Sequence, residues 1–255
     1  MKTIIRYTLI TALRDWLFLG LILIVGMAYG LSVFTGSTAL VEQSQMSIAY
    51  FAGSSRIVLL VGLIVFVCFH VRRLFDNREI ESMLSKPISR GSFVVAYWLG
   101  FVILALAAII PVLIIMLAIY TPDPVGLAYW ASSLVLEISL VLAFALVAAL
   151  ILNSAVSAVM ASFAFYFVSR LMGFFSAALE QPTSLLTNGN TGEFLGVILK
   201  CISAIIPRLD LYAKSNWLIY GVGDQSDLWV FQAQSLVFIA LLLSMAVFDF
   251  KRKQF

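Results

Sequence analysis

The sequence predicts an all-α integral membrane protein with six spanning helices. An amphipathic helix at the N-terminus, a short cytoplasmic helix between spans 2 and 3, and a helical extracytoplasmic region between spans 5 and 6 complete the plan. Three observations carry this expectation. Apolar residues fill 62% of the 255 positions and charged residues only 11%, with a mean hydropathy of +1.06. Soluble domains run near 45–50% apolar and about 25% charged, so a surplus of this size needs lipid as its solvent. The apolar residues also fall into runs suited to a bilayer core of about 30 Å, which takes roughly 20 residues per helix. Finally, the cations collect on alternate loops. One membrane domain, 1–255, is expected, with spans at about 16–34, 57–70, 92–120, 127–152, 156–179 and 228–247.

Residues 1–15 place Ile5, Leu9, Ala12, Leu13 and Trp16 at helical spacing beside Lys2, Arg6 and Arg14, the pattern of a helix lying on the inner membrane face. The run at 16–34 is too long for a signal-peptide core, and no small-residue cleavage site follows it, so it is read as a retained anchor. The second run, 57–70, is short unless the helix begins earlier, which 46–52 permits. The third contains Pro111, which removes a backbone donor and predicts a kink. Pro122 and Pro124 turn the chain into the fourth span, and Asn153–Ser154 turns it into the fifth. Residues 194–206 are apolar over 13 positions, carry Lys200, and stop at Pro207–Arg208. That length suits an interfacial or re-entrant helix rather than a span.

Six spans put the N-terminus, the 71–91 loop and the C-terminus on one side. These carry three (Lys2, Arg6, Arg14), five (Arg72, Arg73, Arg78, Lys86, Arg90) and three (Lys251, Arg252, Lys253) cations, eleven of the 16 in the chain. An excess of Lys and Arg marks the cytoplasmic side, so both termini are expected inside.

One loop carries a more specific pattern. Asp76-Asn77-Arg78-Glu79-Ile80-Glu81-Ser82-Met83-Leu84-Ser85-Lys86-Pro87-Ile88-Ser89-Arg90 joins spans 2 and 3. Asp76 and Glu79 have capping-box spacing, Ile80, Met83 and Leu84 form a ridge at i, i+3, i+4, and Pro87 ends the helix. The result is a short amphipathic helix with a charged rim, of a size to fill a groove on a partner. A solvated positive loop that only fixes topology would carry the same charges.

The runs Arg78-Glu79-Ile80-Glu81 and Leu84-Ser85-Lys86-Pro87-Ile88-Ser89-Arg90 resemble the cytoplasmic signature of type-2 ABC transporter permeases. They are most similar to the subgroup associated with copper processing and multi-copper enzyme maturation, where an acidic cluster and L-S-K-P-[IV]-S-R lead into the third span. The six-span plan and the apolar-Pro-Arg-Leu stretch at 205–209 are similar to that subgroup as well. The likeness covers the whole topology and is specific over these short runs.

The resemblance implies a permease subunit that pairs with a second permease, as homodimer or heterodimer, above two separately encoded ATPase subunits. ATP and Mg would sit on the ATPase, and this chain would bind no cofactor, metal or nucleic acid. Asp76, Arg78, Glu79, Ile80, Glu81, Met83, Leu84, Lys86, Pro87 and Arg90 would form the coupling helix that enters a cleft of the ATPase. The N-terminal helix would contact membrane and ATPase, and the region between spans 5 and 6 would cap the pathway outside. The setting implied is the bacterial cytoplasmic (inner) membrane, with export the expected direction. Consistent with a separate ATPase, the phosphate loop G-x-x-x-x-G-K-[ST] is absent from these residues.

Other readings are weaker. Cys68 and the single histidine, His70, could ligate a soft metal, but positions i and i+2 of a helix diverge, so a buried Cys and an interfacial His are expected. Cys68 and Cys201 fall on different elements, which argues against a disulfide. The spans lack the clustered acids, bases and nucleophiles of an enzyme. A secondary transporter would show internal repeats, and a non-transporting subunit that relays ATPase motion would need the same coupling helix. Ser154, Ala158 and Ser162 permit close helix approach, within one subunit or across a dimer. Glu137 and Arg170 are the clearest charges inside spans. Each lies sixteen residues from the Asn153–Ser154 turn, at equal depth on antiparallel neighbours, so an intramembrane ion pair is expected. Arg170 could instead snorkel to the outer surface.

Overall fold

The computed structural model describes residues 2–14, 16–38, 42–77, 79, 89–120, 122–180, 206–222 and 226–252. The helices are α1 (Lys2–Arg14), α2 (Trp16–Thr38), α3 (Gln43–Asp76), α4 (Arg90–Ile115), α5 (Pro124–Ile151), α6 (Ala155–Glu180), α7 (Asn216–Tyr220) and α8 (Ser226–Arg252). No strand occurs among the described residues. Six of these helices are long and apolar enough to cross a membrane: α2 to α6, with α4 continued to Tyr120, and α8. The chain is therefore an all-helical integral membrane protein. We call the end where α8 finishes basal and the opposite end distal.

The central post is α5, with 78% of its most apolar window enclosed by the other helices, against 22% for α8. Asp123 starts it by accepting the Gly126 amide at 2.8 Å, and Pro124 occupies the first turn, where no amide is needed. At its other end the Arg72 Nη1 donates to the Leu152 carbonyl at 3.3 Å, fixing α3 to the α5–α6 turn.

α3 departs most from expectation. It is one continuous helix of 34 residues, not a short span beginning near residue 57. At 1.5 Å per residue it measures about 51 Å, well beyond the hydrocarbon core. The polar stretch Gly53-Ser54-Ser55-Arg56 stays helical because its hydroxyls bond backwards: Ser54 Oγ to the Tyr50 carbonyl at 2.7 Å and Ser55 Oγ to that of Ala52 at 3.3 Å. α2 packs on α3 through the stripe Leu21, Val25, Ala28 and Ser32. Gly62 leaves the space that the Leu21 side chain enters.

Pro111 lies inside α4, whose last turn widens to a π-helical segment, Met116–Tyr120. A π turn rotates the residues that follow it. Here it carries Tyr120, whose hydroxyl meets Ser32 Oγ at 2.6 Å and whose ring stacks on Phe51. α1 docks on α4 through Ile4, Thr8 and Ala12, with Thr8 against Gly100. Of the Ile5, Leu9, Ala12, Leu13 and Trp16 line read in the sequence, that stripe keeps Ala12 and otherwise uses Ile4 and Thr8, one residue before Ile5 and Leu9, while Ile10 and Leu13 stay exposed.

Candidate functional site

Two polar sites stand out, one at the basal end and one inside the bundle. Of the residues expected to couple to an ATPase, Asp76, Glu79 and Arg90 are described. Arg78, Ile80, Glu81, Met83, Leu84, Lys86 and Pro87 lie outside the described residues, and so does the apolar ridge. Asp76 stands at the start of this segment. It is the last residue of α3, and its Oδ1 pairs with Arg72 Nη2 at 3.3 Å across one turn.

Glu79 is tied back to the protein: Tyr7 Oη donates to its Oε2 at 2.7 Å, and Asn77 Nδ2 to its Oε1 at 3.3 Å. Partial burial and then the Glu79 carboxylate raise the Tyr7 phenol above its ordinary range. Ser89 caps α4 by accepting the Ser92 amide at 3.2 Å. Arg90 Nη1 reaches across to the carbonyls of Phe250 at 3.2 Å and Lys251 at 3.0 Å. The residues flanking 80–88 are thus fastened to α1 on one side and α8 on the other.

His70, expected at the interface, is 4% exposed and sits among the rings of Tyr7, Phe66, Tyr97 and Phe101. Cys68 faces α5 and α6 instead, with Sγ 4.0 Å from the Ala145 carbonyl and 3.9 Å from Ser162 Oγ. The two side chains meet different groups, and the described residues hold no group of three metal-ligating side chains. Ala158 and Ser162 are fully buried within this subunit, whereas Ser154 is exposed. Cys201 lies outside the described residues.

The interior site gathers charges from three spans. Arg170 Nη1 lies 3.6 Å from Glu137 Oε1, and Glu137 is fully buried. Arg56 of α3 acts on the same carboxylate and adjoins Tyr166. Depth explains the meeting. Arg56 and Glu137 each lie thirteen residues, about 20 Å, from the distal starts of α3 and α5, and Arg170 lies fifteen residues, about 22 Å, from the basal start of α6.

Both arginines spend their hydrogens on one turn. Arg170 Nη1 donates to the Leu209 carbonyl and, at 3.2 Å, to that of Tyr212. Arg56 Nη1 donates to the carbonyls of Tyr212 at 3.5 Å and Ala213 at 3.2 Å. Ser133 Oγ accepts the Ala213 amide at 3.0 Å, and the Tyr212 hydroxyl meets Ser235 Oγ at 2.6 Å. Leu209, Tyr212 and Ala213 are buried. Irregular backbone at this depth survives only where protein satisfies its polar groups, and α3, α5 and α6 do so here while α8 holds the Tyr212 hydroxyl. The segment 206–213 therefore enters the bundle from the distal end as a plug.

Arg56 and Arg170 both face the Glu137 carboxylate, and Asp210 of the same turn, paired with Arg208 at 3.0 Å, acts on Arg170 as well. Neither oxygen of Glu137 accepts a hydrogen bond, and Arg56 Nε, Trp130 Nε1 and Ser169 Oγ are likewise buried without one. The carboxylate is held here by the charges of Arg56 and Arg170 rather than by a protein hydrogen bond. A comparison with models of known protein families and with characterised proteins finds no match.

Proposed function

We propose that this chain is the membrane-spanning permease subunit of an ATP-driven transporter of the ABC type. In this reading it pairs with a second permease subunit above two separate ATPase chains that carry ATP and Mg, in a bacterial cytoplasmic membrane with both termini inside. The observation that carries the reading is the segment 76–90, whose sequence resembles the coupling signature and whose flanks are anchored to α1 and α8 through Tyr7–Glu79 and Arg90. A push on that segment has a stiff route inward. α3 is one rod, and Arg56 stands twenty residues, about 30 Å, from its basal end at Asp76. Motion of α3 moves Arg56 against the plug at 209–213, so ATPase closure on one side changes the bundle on the other.

The test is co-purification of the wild type with its ATPase and measurement of ATP hydrolysis in reconstituted membranes. Met83→Asp and Leu84→Asp, which place a charge on the apolar ridge, should lower ATPase retention and coupled hydrolysis at least tenfold while membrane insertion is unchanged. Full retention and full hydrolysis in both variants would refute the assignment.

A further inference from the structure

The outer face of α4 and α8 carries a groove of about 440 Å³ near the basal end, lined by Val95, Leu243, Ser244, Val247, Phe248 and Lys251. The lining is apolar apart from Lys251 and Ser244, and Ser244 Oγ turns away to donate to its own helix, at the Leu241 carbonyl. A volume of this size lies in the range of ligand-holding clefts. The surface around it faces lipid, since Leu241, Met245 and Phe248 are all more than half exposed.

Cations gather at the basal mouth. Lys251 lines the groove itself, and the Arg252 guanidinium folds back to 4.1 Å above the Phe248 ring. Arg90 is drawn to the same end by its bonds to the Phe250 and Lys251 carbonyls. The nearest carboxylate on α8, Asp249, has a buried oxygen and does not line the groove. The result is an apolar slot in the lipid-facing surface, closed at one end by positive charge.

We propose that this groove binds an anionic phospholipid, with an acyl chain along Val95, Leu243 and Val247 and the phosphate against Lys251 and Arg252. Charge selects this occupant: basic pockets at the cytoplasmic ends of spanning helices collect anionic headgroups. A second copy of this chain fits the groove less well. Two-fold packing sets a patch against itself, so Lys251 and Arg252 would meet their own counterparts across the contact. The inference does not depend on the ATPase reading.

The experiment uses the whole 255-residue chain, delipidated in detergent and offered equal amounts of phosphatidylglycerol and phosphatidylcholine, with bound lipid read by native mass spectrometry. Each cation near the surface is worth about fivefold in affinity for an anionic headgroup, so phosphatidylglycerol should be retained at least about fivefold over phosphatidylcholine. Lys251→Gln combined with Arg252→Gln should bring the ratio towards one, and Lys251→Arg should preserve it. Ser244→Trp fills the slot from an exposed position and keeps the cations, so it should lower retention of both lipids. Equal retention by the wild type, an unchanged ratio in the double variant, or undiminished phosphatidylglycerol binding in Ser244→Trp overturns the proposal. Conversion of a dimer to a monomer by Ser244→Trp overturns it as well, because the groove then belongs to a second copy. Thermal melts identify any variant that fails to fold, and Lys251→Gln alone then replaces the double variant.

Discussion

Neutralising Glu137 should damage the protein more than neutralising either arginine that faces it. Glu137→Gln leaves two guanidiniums in the interior with no countercharge among the three, and removing one partner of a buried pair costs about 3–5 kcal/mol. Arg170→Gln leaves Glu137 with Arg56, a balanced pair. Besides its attraction to Glu137 and Asp210, it gives up the hydrogen bonds on the Leu209 and Tyr212 carbonyls, about 1.5–3 kcal/mol for a charged donor. Arg56→Gln should cost a similar amount through the Tyr212 and Ala213 carbonyls. The double variant Glu137→Gln/Arg170→Gln retains a single cation, so its loss should fall short of the summed single losses by about 0.5–3 kcal/mol. Reversible unfolding in mixed micelles, titrated with a denaturing detergent and followed by circular dichroism, measures all four. Additive losses, or an Arg170→Gln variant weaker than Glu137→Gln, would mean that the three charges do not share one field.

Two further outcomes follow from single contacts. The protonated Tyr7 phenol is favoured in the folded state, so its contribution is intact below its ordinary value of 10.0 and fades as pH rises beyond that through the raised folded value. Melting temperature measured from pH 9 to 11 should fall more steeply for wild type than for Tyr7→Phe, which at neutral pH should cost about 1 kcal/mol for the lost Glu79 bond; equal slopes would remove Tyr7 from the α1 anchor. A methyl group on Gly126 would run into the Trp217 carbonyl, a backbone atom that yields only if α7 moves, so Gly126→Ala should destabilise by about 1–3 kcal/mol. Gly53→Ala, whose new carbon meets nothing, should be neutral or stabilising by up to about 1 kcal/mol, and equal tolerance at the two sites would contradict the packing of α7 on α5.

The helical, membrane-embedded character was legible because it rests on sums: apolar content and run lengths leave no other class. Individual spans were harder wherever polar residues sit inside a helix. Gly53-Ser54-Ser55-Arg56 reads as loop chemistry, and only the back-bonded hydroxyls and the carbonyl partners of Arg56 make it interior helix. A register argument would have found Arg56, since it lies as far from the start of α3 as Glu137 lies from the start of α5. The Glu137–Arg170 proximity yielded to that argument because the turn between their helices is short and fixes depth. The partners at 209–213 carried no comparable signal, because hydrogen bonds to main-chain carbonyls leave no trace in side-chain identity. Thr8 was passed over for a similar reason: a stripe of Ile4, Thr8 and Ala12 looks less apolar than its neighbour, yet it is the one small enough to approach Gly100.

In lipid, apolar side chains gain nothing by leaving one apolar neighbour for another, so burial alone does not choose which helix faces meet. The choice then falls to the few polar atoms, several of which join two elements in this protein. Trp98 Nε1 donates to the Ser139 carbonyl at 3.1 Å and sets α4 on α5, Ser32 and Tyr120 join α2 to the end of α4, and Arg72 ties α3 to the α5–α6 turn. The cluster of Arg56, Glu137 and Arg170 differs from these in two respects: it joins three spans to one turn, and its carboxylate lacks hydrogen bonds. The turn at 209–213 is held to the spans by Arg56, Arg170 and Ser133, so its position depends on the same two cations that face Glu137.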